Sequence, residues 1–148
     1  MTMQPSRFFT SEQKDQITSA VREAELNTSG EIMVHIERKC KGEALDRAAY
    51  LFGRLNMHKT RERNGVLFYL AIDDHKFAIL GDAGINAVTP DDFWAVISSR
   101  MEELFRQGEF TQGLATGITM AGEQLREHFP YRDDDVNELP DEISFGNT

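Results

Sequence analysis

The residues of this 148-residue chain best suited to chemistry are oxygen donors: Asp82, Glu31, Asn64, Asp91 and Asp92. Carboxylates, a carboxamide and loop carbonyls are hard ligands, suited to Ca²⁺ or Mg²⁺ rather than to zinc, which prefers His and Cys. Gly30, Gly65, Gly81 and Gly84 lie beside them and let the backbone come close to an ion. No loop has EF-hand spacing, so the fold itself must bring these donors together. The alternative reading gives them structural work, with Asp82 capping a turn, Glu31 paired with a loop arginine, and Asp91 and Asp92 capping a helix.

Other chemistries find less support. Gly81-Asp82-Ala83-Gly84-Ile85-Asn86 has neither the dinucleotide-binding glycine pattern nor a Walker lysine. No serine sits in a nucleophile elbow, and the single cysteine, Cys40, has no obvious base and no second Cys to pair with. His35 falls in a strand opposite an apolar row, where a packing histidine is expected. Asp73-Asp74-His75 reads as a solvated hairpin turn at the far end of the sheet from the oxygen donors.

The elements that must position the donors follow from periodicity. Thr10-Ser11-Glu12-Gln13 is a capping box, and Ile17, Ala20, Val21 and Ala24 then repeat at helical spacing, which predicts a helix over about 11–26. Asn27-Thr28-Ser29-Gly30 ends it. The alternation in Glu31 to Glu37 predicts a strand with Ile32, Val34 and Ile36 on one face. A second helix is expected over about 43–56, followed by a strand over 66–72 that is apolar on both faces, as a covered central strand must be. Strand, helix, strand implies parallel pairing with a right-handed crossover. The apolar runs on either side of Asp73-Asp74-His75 predict an antiparallel hairpin, which lays Asp82 opposite Asn64 and Gly65. Ser29, Gly30, Glu31, Asn64 and Asp82 should then meet at one sheet end.

Thr89-Pro90-Asp91-Asp92 predicts the start of a helix that Gly108 ends, and Phe110 to Leu125 a last helix whose Gly113 and Gly117 mark close packing. The expected fold is a single-domain α/β/α sandwich of the α/β class. Its mixed central sheet has two parallel strands plus an antiparallel hairpin strand and is flanked by about four helices. The domain should span 8–129. From 130 to 148 the chain is an acidic tail whose Val136, Leu139, Ile143 and Phe145 are expected to dock transiently or to bind a protein partner, outside the core.

Bulk properties narrow the partners. A net charge of −9 disfavours nucleic acid and anionic lipid, which need clustered Lys and Arg. The basic residues gather in two loops, 38–41 and 58–63, which form at most a local anion-attracting rim. No apolar run is long enough for a membrane span, and the amino terminus lacks the apolar stretch of a secretory signal, so the expected compartment is the cytoplasm.

The chain resembles the TPM domain family, named for thylakoid-lumen, photosystem II repair and MOLO proteins. The resemblance runs from about Phe8 to Phe129, through Thr28-Ser29-Gly30-Glu31-Ile32, Asn64-Gly65-Val66-Leu67, Gly81-Asp82-Ala83-Gly84-Ile85 and Phe105-Arg106-Gln107-Gly108-Glu109-Phe110. The acidic ending resembles that of a short bacterial subgroup without a membrane anchor. The resemblance implies an α/β/α sandwich, divalent-cation binding and, by way of the plant lumenal relative, an acid phosphatase activity. Many members have Gly-Tyr-Gly-Leu where this chain has a turn bearing Asp82, which adds a carboxylate. Two functions are therefore expected. One is a cation-binding module acting through a protein partner. The alternative is a metal-dependent acid phosphatase on phosphomonoesters, in which Arg61 or Arg63 steadies the anion.

Overall fold

The computed structural model describes residues 5–131 and 143–146. Its elements run α1 (Pro5–Phe8), α2 (Ser11–Glu25), β1 (Glu31–Glu37), α3 (Ala44–Arg54), a 3-10 turn (Met57–Lys59), β2 (Gly65–Ala71), β3 (Lys76–Gly81), α4 (Ala83–Asn86), α5 (Phe93–Arg106), α6 (Phe110–His128) and β4 (Ser144–Phe145). Four of the helices are long, as expected; α1 and α4 are single turns of four residues.

Local sequence chemistry accounts for most boundaries. The Thr10 hydroxyl accepts from the Gln13 amide while the Gln13 side chain accepts from the Thr10 amide, so both halves of the capping box form. His75 takes a left-handed backbone (φ 53°) that closes the hairpin, and Gly108 (φ 80°) separates α5 from α6. The start of α5 differs from expectation. Asp92 is its N-cap position, without a side-chain cap, and the Thr89 hydroxyl instead donates to the Ile85 carbonyl. Pro90 therefore precedes the helix, its carbonyl accepting from the Phe93 amide in a turn.

The sheet order is β3-β2-β1-β4. β1 pairs parallel with β2, with Glu31 opposite Gly65, and β2 pairs antiparallel with β3, with Val66 opposite Gly81. Alternation sends the two faces of β1 and β2 into two cores. Ile32, Val34, Ile36, Val66, Phe68 and Leu70 pack beneath α2, α5 and α6; Met33, Leu67, Tyr69 and Ala71 pack beneath α3 and the 3-10 turn. This double burial is why β2 is apolar throughout. The expected glycine packing is also present: a Cβ on Gly113 would stand 2.5 Å from Phe105, and one on Gly117 2.4 Å from the Met101 sulfur. Among the described residues no helix is long and apolar enough to cross a membrane.

The end of the chain departs from expectation. Ser144 and Phe145 add a fourth strand, parallel to β1, and the Gly146 amide continues the pairing to the Ile36 carbonyl. Ile143 and Phe145 pack against the larger core. The acidic composition before Ile143 obscures a segment whose own residues are apolar and strand-forming. Val136 and Leu139 lie outside the described residues.

Candidate functional site

The amino ends of β1 and β2 and the carboxyl end of β3 meet at one edge of the sheet, and most of the predicted donors are there. Asp82 follows β3 directly, and its amide donates to the Gly65 carbonyl at 2.9 Å, so Glu31, Gly65 and Asp82 lie in a row across three strands. Residues in such a row point to the same face, here the face of α3 and the 3-10 turn. Because Gly65 has no side chain, Glu31 and Asp82 flank a gap, their backbones about 10 Å apart at two strand spacings. A Cβ on Gly65 would stand 3.1 Å from the Met57 carbonyl, so the 3-10 turn covers that gap.

Asn64 holds the centre. Its side-chain amide donates to Ser29 Oγ at 3.2 Å, its backbone amide donates to Thr60 Oγ1 at 3.3 Å, and its carbonyl accepts from the Glu31 amide at 3.4 Å. With Nδ2 on Ser29, Oδ1 is the side-chain atom left to act as a ligand. The Ser29 hydroxyl in turn donates to the Glu62 carboxylate. The Thr28 hydroxyl reaches the Leu125 and Phe129 carbonyls and so fastens this loop to the end of α6.

Asp82 is 6% exposed, and three donors engage its carboxylate. Arg63 forks onto it with Nε at 2.6 Å from Oδ2 and Nη2 at 2.7 Å from Oδ1, and the Ala83 amide caps Oδ1 at 2.7 Å. The left-handed backbone of Arg63 (φ 53°) belongs to the turn that leads into β2. Behind it, the Gly84 amide donates to the Arg63 carbonyl at 2.8 Å, and a Cβ at Gly84 would fall 2.1 Å from the Glu62 carbonyl. The 62–63 backbone is therefore pressed onto α4.

The convergence of Ser29, Gly30, Glu31, Asn64 and Asp82 at one sheet end is thus present. Among the described residues Asp91 and Asp92 join no group of three His, Cys, Asp or Glu side chains close enough to hold a metal. Both are exposed and precede α5, whose Trp94 is tied through Asn86 to Gly81 on the opposite face of the sheet from Glu31. The same holds of every other His, Cys, Asp and Glu among the described residues. A cation at this edge would therefore use Asp82, Glu31 and the Asn64 amide oxygen together with backbone carbonyls. That all-oxygen set matches a hard ion.

A second polar cluster lies at the other end of β1. Glu37 is fully buried and accepts from Arg47 Nε and Nη2, both at 2.8 Å, from the Tyr69 hydroxyl at 2.6 Å and from His35 Nε2 at 3.3 Å. Burial pushes the Glu37 carboxyl up, but Arg47, Tyr69 and His35 outweigh it and hold the group below its ordinary range. His35 is driven down by burial. The ionised Glu37 can only accept, so His35 carries its proton on Nε2, and Nδ1 accepts from the Ser144 hydroxyl at 2.8 Å. His35 is thus the satisfied packing residue expected from sequence. The sequence alone does not mark Glu37 and Arg47, because their pairing depends on α3 covering this face of β1. A usable signal existed in Arg47, which lies one residue from the buried Ala48 on the apolar side of α3.

The model of the TPM domain matches residues 3–124. The chain is also similar to the BA42 protein of the psychrophilic bacterium Bizionia argentinensis, whose NMR structure superposes with a TM-score of 0.87 at 46% identity, covering 95% of this chain and 97% of that one. The N-terminal domain of a P. gingivalis protein (TM-score 0.64, 21% identity, 86% and 84% covered) and that of the cg2496 protein of Corynebacterium glutamicum (0.62, 12%, 80% and 74%) share the fold. A comparison with curated proteins finds no match. On the family model and the extended likeness to BA42, the chain belongs to the TPM domain family.

Proposed function

We propose that this TPM domain is a divalent-cation-binding module for Ca²⁺ or Mg²⁺ that acts through a protein partner. The observation that carries the reading is the row formed by Glu31, Gly65 and Asp82, with Asn64 beside it. Two carboxylates face the same side of the sheet across a glycine, and a cation seated between them would be attracted by both. Asp82 would be the leading ligand, and Arg63 is its resident counter-ion. Because the Arg63 side chain is 51% exposed, it can swing into solvent when an ion arrives. Binding would then release the turn that carries Arg63, which gives a partner a surface that differs between the two states.

Titration with Ca²⁺ and with Mg²⁺, followed by amide NMR and by melting temperature, tests this reading. Perturbations should centre on Glu31, Asn64 and Asp82, and saturation at 100 times the dissociation constant should add about 2.7 kcal/mol of stability. Asp82→Ala should weaken binding most. Silence of these amides together with an unmoved melting temperature at millimolar ion would sink the proposal. Turnover of a generic phosphomonoester that requires the same ion and disappears in Asp82→Ala would instead favour the phosphatase.

A further inference from the structure

At the carboxyl end of β1, opposite the cation edge, an open cleft of about 460 Å³ is lined by Glu37, Arg38, Lys39, Lys41 and Arg47. In a chain of net charge −9 this is a concentration of positive charge, and the structure holds it in place. The buried Glu37 carboxylate grips Arg47 by Nε and Nη2, which fixes the plane of the guanidinium and leaves Nη1 for a ligand. The loop that carries the lysines is clasped from the hairpin: Lys76 Nζ donates to the Cys40 and Gly42 carbonyls at 3.0 and 2.8 Å, and the Asp74 carboxylate takes the Cys40 amide at 2.7 Å. Arg38 pairs with Asp73 at 2.9 Å.

The charge count decides what could bind. Glu37 balances Arg47 and Asp73 balances Arg38, which leaves Lys39 and Lys41, exposed on the clasped loop, as the excess charge of the cleft. Apart from Glu37, the carboxylates nearest to them in sequence are Glu43 and Asp46, both exposed at the start of α3. Two ammonium groups and a forked guanidinium around one opening match a doubly charged tetrahedral oxyanion. The carboxyl end of parallel strands is also where open α/β sheets take their ligands.

We infer that this cleft binds a small molecule bearing a phosphate group, held by Arg47, Lys39 and Lys41 at a site separate from the Asp82 edge. The test is a titration of the full chain with inorganic phosphate at constant ionic strength, read by backbone amides and by the Arg47 Nε–H signal. Perturbations confined to 38–47 are expected. The double variant Lys39→Gln/Lys41→Gln changes only exposed side chains and should keep its melting temperature while binding about tenfold more weakly. Asp82→Ala should bind as the parent does. Absence of any perturbation at tens of millimolar phosphate, undiminished affinity in the double variant, or perturbations centred on Arg63 and Asp82 would each overturn the assignment.

Discussion

Arg63 and Asp82 form a forked ion pair in which both carboxylate oxygens are engaged, at 2.6 and 2.7 Å, at the point where the fold gathers its oxygen donors. Any cation that uses Asp82 must compete with that guanidinium. Arg63→Ala is therefore expected to tighten Ca²⁺ or Mg²⁺ binding only modestly, by about two- to fivefold, because solvent screens the half-exposed pair that it removes. Calorimetric titration of parent and variant measures it. Weaker binding in the variant would mean that Arg63 supports the ion site rather than competing with it.

Gly84 and Gly117 should respond differently to alanine although both are in helices. A Cβ at Gly84 would meet two backbone carbonyls, Glu62 at 2.1 Å and Arg63 at 2.6 Å, which can yield only by moving the turn off α4. Gly84→Ala should cost about 2–3 kcal/mol and perturb the Asp82 edge. At Gly117 the obstacles are side-chain atoms, Met101 Sδ and Cγ at 2.4 and 2.9 Å and Phe68 Cε1 at 3.0 Å, which can shift without moving backbone. Helix propensity gains about 1 kcal/mol, so Gly117→Ala should cost about 1 kcal/mol, less than Gly84→Ala. Urea unfolding of the two variants decides it; equal losses would contradict the distinction between backbone and side-chain obstacles.

Local rules explain how much of this molecule could be read from its residues. The capping box at Thr10, the hairpin at Asp73-Asp74-His75 and the apolar run of β2 each depend on neighbours within a few positions, and each forms. From the strand order alone Asp82 could be placed opposite Gly65. What stayed hidden depends on distant partners. The fork between Arg63 and Asp82 needs a left-handed turn with no sequence mark, and the burial of Glu37 needs the cover of α3. Asp91 and Asp92 are close to Asp82 in sequence, yet α4 and the following turn intervene, and both are exposed before α5 while Asp82 is buried.

The edge strand β4 should contribute measurably to stability. Phe145 packs against the larger core, Lys14 lies over its ring at 5.6 Å, and Ser144 supplies the donor to His35. Phe145→Ala is expected to cost about 1–2 kcal/mol, given its partial burial. Deletion of 143–148 should cost about 2–3 kcal/mol, because it also opens the β1 edge and removes the hydrogen bonds to Ile36 and His35. Chemical denaturation of the deletion gives the number directly, and a loss under about 0.5 kcal/mol would show that the strand is dispensable.

Acid should destabilise the protein in two stages set by the cluster around Glu37. Burial lowers the affinity of folded His35 for a proton below its ordinary value of 6.5, so between that value and the lower folded one the unfolded chain binds more protons. The stability contributed by neutral His35 is therefore complete above about pH 6.5 and is lost as the pH falls through the folded pKa. Glu37, also lowered, contributes above its ordinary value of 4.5, and its share disappears at more acidic pH as the carboxylate bound to Arg47 and Tyr69 takes up a proton. Each stage has a limiting slope of about 1.4 kcal/mol per pH unit, one proton's worth. His35→Gln removes the titrating group while keeping a polar side chain, and its stability should be flat between pH 7 and 5 where the parent declines. Urea midpoints across this range measure both slopes, and parallel curves for parent and variant would show that His35 is not the group responsible.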